Sequence, residues 1–152
     1  MSPRSTRHDT FVLERTYPAS PARVFAAWSR LEAKSRWFGC HEDWQVLEHT
    51  LDFRPGGREV WRGGPKDGVV HANHTLYYDI VPDERIVYSY EMHLGETRIS
   101  VSLTTVELRP AGTGTRLVFT EQDVFLDDFQ DAGSREEGTR VALDALAQAV
   151  AQ

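Results

Sequence analysis

The sequence predicts an α+β fold in which a curved antiparallel sheet of seven strands wraps around a long C-terminal helix, with two short helices after the first strand. Two observations carry this. Nearly all the helical pattern lies at the ends of the chain, Ser20 to Phe38 and Ser134 to Val150, while the residues between them read as strands and turns. A run of antiparallel strands with one amphipathic helix left over buries both apolar faces by curling around that helix, and such a curl readily leaves a pocket.

Each element follows from local pattern. Thr10 to Tyr17 is rich in β-branched and aromatic residues and reads as a strand, which Pro18 stops. Ser20 followed by Pro21 has the form of an N-cap and first helical position, with Val24, Phe25 and Trp28 on one face of the helix. Ser29 and Glu32 have capping-box spacing ahead of a second short helix that ends near Trp37 and Phe38. Hairpins come next: about 45–54, the turn Pro55-Gly56-Gly57, about 58–63, the Asp67-Gly68 turn, and about 69–81. Pro82-Asp83-Glu84 turns the chain into 85–93, where Ile86, Tyr88, Tyr90 and Met92 alternate with polar or smaller residues.

In the sixth strand Ile99, Val101 and Leu103 fall on odd positions and Val106 and Leu108 on even ones, which predicts a β-bulge near Thr104 and Thr105. The seventh strand runs from Thr115 to about Phe125. Ser134 and Glu137 repeat the capping-box spacing, and Ala142, Leu143, Leu146, Ala149 and Val150 form the apolar stripe of the last helix. The expected organisation is a disordered tail over 1–8 and a single domain over 9–152.

Composition bounds the function. At 152 residues and 40% hydrophobic, the chain is large enough for one self-sufficient core. Its formal net charge of −6 and lack of a basic cluster argue against a nucleic-acid partner. No apolar run reaches bilayer-spanning length, and Met1 to His8 lacks the apolar centre of a signal peptide, so no membrane partner and a cytoplasmic location are expected. One cysteine, Cys40, makes no internal bridge.

Taken together the motifs resemble a known family. The segment Arg15-Thr-Tyr-Pro-Ala-Ser-Pro-Ala-Arg-Val-Phe-Ala-Ala-Trp28 carries the likeness, with Trp37-Phe38, Phe53-Arg-Pro-Gly-Gly57, Tyr77-Tyr-Asp-Ile-Val-Pro-Asp-Glu-Arg-Ile-Val-Tyr88 and Gly114-Thr-Arg-Leu. These are similar to the START-like, or SRPBCC, superfamily, and within it to the subgroup homologous to the activator of the heat-shock protein 90 ATPase. The resemblance implies the helix-grip fold, also called birch-pollen-allergen-like, and spans about Thr10 to Val150. It implies a chaperone as one partner, acting on the outer surface. The chain departs from the subgroup where Gly138 is followed by Thr139 instead of tryptophan, and where Thr75 stands for a common glycine. Both changes leave an inherited substrate open.

The candidate site is a set of inward-facing rings. Trp28, Trp37, Phe38, Trp61, Tyr78, Tyr88, Tyr90, Phe119 and Phe125, with Met92 and His74, are expected to line a pocket for a small apolar or aromatic molecule. Tyr and Trp fill a core poorly unless their polar atoms find partners, which favours a pocket over plain filler. His74 shares its parity with Leu76, Tyr78 and Ile80, so His74 and Tyr78 are the candidates for acid–base chemistry. His71 and His74 point to opposite faces of one strand, so no metal site is expected, and no cofactor motif is present. Cys40-His41-Glu42-Asp43 reads as solvated loop, and Asp127, Asp128 and Asp131 as an exposed connection. Three functions stay open: a carrier, a cyclase- or isomerase-type enzyme, and a chaperone cofactor. A monomer and a homodimer both fit.

Overall fold

A computed structural model describes residues 4–129 and 132–151. Its elements are β1 (Thr6–Tyr17), α1 (Pro21–Ser29), α2 (Leu31–Lys34), β2 (Trp44–Leu51), β3 (Arg58–Pro65), β4 (His71–Val81), β5 (Arg85–Leu94), β6 (Thr97–Ala111), β7 (Gly114–Leu126) and α3 (Ala132–Val150). The strands form one antiparallel sheet in the order β1-β7-β6-β5-β4-β3-β2. No described helix is long and apolar enough to cross a membrane.

The first turn of the chain follows its sequence closely. Ser20 caps α1, its hydroxyl accepting from the Arg23 amide at 3.2 Å, and Pro21 opens the helix. Two expected caps do not form. Ser29 ends α1, and α2 begins at Leu31 without a side-chain cap. The last helix starts at Ala132, so Ser134 and Glu137 lie inside it. Thr6, Arg7 and His8, expected in a disordered tail over 1–8, instead pair with Leu126, Phe125 and Val124. Residues 1–3 and Asp131 lie outside the described residues.

The core sits between the concave face of the sheet and the helices. Leu143, Leu146 and Val150 of α3 pack with Val24, Phe25 and Trp28 of α1 and with Leu13, Tyr17, Ile86, Val106, Leu117 and Phe119 from the sheet. The Tyr17 hydroxyl donates to the Leu143 carbonyl at 2.9 Å and ties the helix to β1. Gly56, at φ +82°, makes the left-handed turn between β2 and β3 that a side chain would strain.

Bulges in β4 and β6 decide which of the expected residues face inward, and neither lies where the sequence pattern puts one. In β4, Tyr77 pairs with Tyr88 and Asp79 with Val87, so Tyr78 is the extra residue. Counting parity back from Ile80 across that bulge places His74 and Tyr78 inside. The structure instead turns His71, Asn73, Thr75 and Tyr77 inward and leaves His74 and Tyr78 exposed. In β6 the pairing with β7 is unbroken from Ser100 to Ala111, and the irregularity falls at Ile99, between the pairs Met92–Ser100 and His93–Arg98. Thr104 and Thr105 carry no bulge. Val101 and Leu103 therefore face out, and Ser100, Ser102 and Thr104 occupy the buried face.

Candidate functional site

The register stacks inward side chains in rows across the sheet. One row runs Glu59, Thr75, Tyr90, Ser102, Asp123 and the next runs Tyr77, Tyr88, Thr104, Glu121. A third holds Trp61, Asn73, Met92, Ser100 and Phe125. The helices cover these rows incompletely. A half-enclosed cavity of about 370 Å³ remains between the sheet, α2 and the first half of α3.

Rings dominate its wall. Trp28, Trp37, Phe38, Trp61, Tyr88, Tyr90, Met92 and Phe119 all line it, as do Trp44, His41 and His71. Trp28 and Trp37 meet edge to face at 4.7 Å, and Phe38 stands perpendicular to Trp61 at 6.3 Å. Gly39 lets the Trp61 indole close over it, since a Cβ there would lie 2.4 Å from Nε1. Three expected members are elsewhere. His74 and Tyr78 are on the outer face, and Phe125 is buried away from the cavity, beneath the Arg135 guanidinium at 5.1 Å. His41 is exposed in a loop, as expected, and its ring tilts 4.2 Å from Trp44 at the rim of the cavity.

Behind the rings lie two buried polar clusters that the sequence reading did not single out. In the first, Lys34 Nζ donates to Glu59 Oε1 at 2.6 Å and lies 3.4 Å from the Tyr77 hydroxyl, which itself donates to Glu59 Oε1 at 2.6 Å. His49 Nε2 meets Glu59 Oε2 at 2.7 Å. Burial works to raise the Glu59 carboxyl. The Lys34 ammonium and hydrogen bonds from His49, Lys34 and Tyr77 outweigh it and hold the group at about 2. Lys34 is 3% exposed and lines the cavity, whereas Glu59 sits behind it.

The second cluster joins β5, β6, β7 and α3. Arg135 donates through Nη1 to the Tyr90 hydroxyl at 3.0 Å and to Ser102 Oγ at 3.4 Å, and through Nη2 to Ser100 Oγ at 2.9 Å. Tyr90 donates to Glu121 Oε2 at 2.8 Å, Thr104 to Glu121 Oε1 at 3.1 Å, and Ser102 to Asp123 Oδ1 at 2.5 Å. Glu121 is driven well above the ordinary carboxyl range, first by burial and then by Asp123 beside it, against the smaller pull of Arg135 and Tyr90. Asp123 Oδ2 has no hydrogen-bond partner among the described residues, and the Asp123 side chain beside Glu121 is what adds to burial in raising it. The cavity wall thus carries a carboxyl that burial and Asp123 drive toward its neutral form, next to a phenol.

A signal for these clusters does exist in the sequence. Glu121 and Asp123 share the odd parity of Leu117, Phe119 and Phe125, and Glu59 shares that of Trp61, so carboxylates interrupt inward apolar runs. Arg135, Thr139, Ala142 and Leu146 follow helical spacing on the covered face of α3. Among the described residues no group of three or more His, Cys, Asp or Glu side chains converges as a metal site.

This arrangement defines an α+β helix-grip protein with a ring-lined hollow under its terminal helix. Residues 18–151 match the family described as "Activator of Hsp90 ATPase homolog 1-like protein", and the chain belongs to that family, within the SRPBCC superfamily. It is similar to the solved structure of an uncharacterised protein from Rhizobium leguminosarum, with 53% identity, 98% of each chain covered and a TM-score of 0.93. A protein from Rhizobium loti shares 48% identity over 95% of this chain and 99% of that one, with a TM-score of 0.89. Another from Chromobacterium violaceum shares 27% identity, covers 93% and 96%, and has a TM-score of 0.74. A stretch of 76 residues, 49% of this chain, is 34% identical to inositol-3-phosphate synthase 1 of Mus musculus, where it spans only 13% of that protein.

Proposed function

We propose that the protein binds a small, largely aromatic molecule in the cavity between the sheet and α3. The carrying observation is the wall itself: eight of the sequence-predicted residues and all four tryptophans surround one hollow of about 370 Å³, a volume within the usual range of small-molecule sites. Burying about 300 Å² of ligand at about 25 cal/mol per Å² yields roughly 7 kcal/mol before association costs, so micromolar affinity is the expected scale. Thr139 supports the reading. It lines the cavity at the position where the subgroup resemblance calls for tryptophan, and a smaller side chain there leaves the room open.

Titration calorimetry with 4-biphenylmethanol, a neutral aromatic probe, tests this. Micromolar binding is expected, weakened at least tenfold in Thr139→Trp. Absence of binding by wild type, or full affinity in folded Thr139→Trp, would exclude the cavity as the site. Native mass spectrometry of the purified protein then identifies a co-purifying occupant.

A second reading is proton-transfer chemistry on a bound substrate, and Glu121 favours it. A carboxylic acid that keeps its proton beside the Tyr90 phenol is equipped to donate to a ligand oxygen. His74 and Tyr78 are exposed, so the acid–base roles the sequence suggests for them pass to Glu121 and Tyr90. An enzyme loses about a hundredfold or more in turnover on Glu121→Gln, whereas a carrier keeps its affinity within a few fold.

A further inference from the structure

The two buried cations on the cavity wall are not equally engaged. Arg135 is held on all sides: Tyr90 and Ser102 take Nη1, Ser100 and Met92 Sδ take Nη2, and Asp123 and Glu121 lie 3.6 and 3.9 Å away. It is a structural cation. Lys34 lies over the other side of the sheet, against β3 and β4. Of its three N–H groups, one goes to Glu59 Oε1 and a second to the Tyr77 hydroxyl. The third has no oxygen partner and faces rings, with Nζ 4.6 Å from the centroid of Phe38 and 5.8 Å from that of Trp28.

An independent observation sits beside it. Trp28 and Trp61 are 3% and 4% exposed, both line the cavity, and neither indole N–H has an acceptor. Trp37, by contrast, donates to the Ala27 carbonyl at 2.9 Å. Buried donors are almost always satisfied, so two unpaired indoles in the wall that also carries an unfinished ammonium mark a missing acceptor. An anionic oxygen is the acceptor that a cationic donor holds most strongly. Glu59, the counter-ion of Lys34, stands behind it and contributes nothing to the wall.

We infer that the Lys34 end of the cavity is a carboxylate subsite and that the ligand is an aromatic acid, with its oxygens toward Lys34, Trp28 and Trp61 and its rings against Trp37, Phe38 and Phe119. This rests on the cavity reading above and adds the ligand's charge and orientation. A carboxylate accepts several N–H bonds at once and gains most from charged donors in a site shielded from water.

The test compares biphenyl-4-carboxylate with 4-biphenylmethanol by calorimetry. Wild type is expected to bind the acid at least tenfold more tightly than the alcohol. Lys34→Met combined with Glu59→Gln removes the ammonium while leaving an amide for Tyr77 and His49. In that variant the acid and alcohol should bind within threefold of each other. Trp28→Phe, which keeps a ring and deletes the N–H, should reduce the acid preference severalfold and serves if the double variant fails to fold. Equal affinity for the two probes in wild type, or a tenfold preference that survives in the folded double variant, overturns the inference and leaves the cavity reading intact. If neither probe binds, both fail.

Discussion

Individual side chains in this protein carry opposite pH signatures. Glu59 is held at about 2 against an ordinary 4.5, so its contribution to stability is complete above about pH 4.5 and is lost as the pH falls from there through about 2. Urea midpoints measured from pH 6 to pH 2 should fall across that window, and Glu59→Gln should flatten the fall. Lys34→Met alone strands the buried Glu59 carboxylate and should cost about 3–5 kcal/mol in urea denaturation at pH 7. Glu121 behaves the other way. Its folded-state value is raised, so its stabilisation is complete below the ordinary carboxyl range and is lost as the pH climbs toward that higher value. Glu121→Gln, which stays uncharged beside Asp123 at every pH, should melt above wild type at pH 8, with the gap closing toward pH 4.5.

At the scale of elements, strand parity was readable and bulges were not. The alternation of Ile86, Tyr88, Tyr90 and Met92 on β5 holds in the structure because that strand has no insertion over those residues. On β4 a single extra residue, Tyr78, reverses the inward face that parity predicts, and on β6 the pattern predicts a bulge at Thr104 where hydrogen-bonding to Glu121 already justifies a polar side chain inside. Apolar count alone favours burying Val101 and Leu103. The carboxylates of β7 and Arg135 of α3 reverse that choice, and this depends on cross-strand register that one segment cannot reveal. The bulge gives a direct contrast between neighbours. Tyr78→Ala, on the outer face, should change stability by less than about 0.5 kcal/mol. Tyr77→Phe removes a buried donor from Glu59 and should cost about 1–3 kcal/mol by urea denaturation.

Across the whole molecule, the overall plan is legible because it follows from element order: one strand, two short helices, six consecutive strands and one long helix left to cover the sheet. The cavity was legible only as an excess of rings. Its polar floor was not, since charged residues ordinarily lie outside and Lys34, Glu59, Glu121 and Arg135 break that rule together as paired groups. Packing and binding compete for the same space here. Thr139→Trp should raise the melting temperature by adding buried area while weakening the probe binding described above, and thermal melts paired with calorimetry would measure the trade. The four indoles that share this wall have a practical consequence: any occupant alters the surroundings of every tryptophan in the chain at once, so intrinsic emission reads cavity filling without a label.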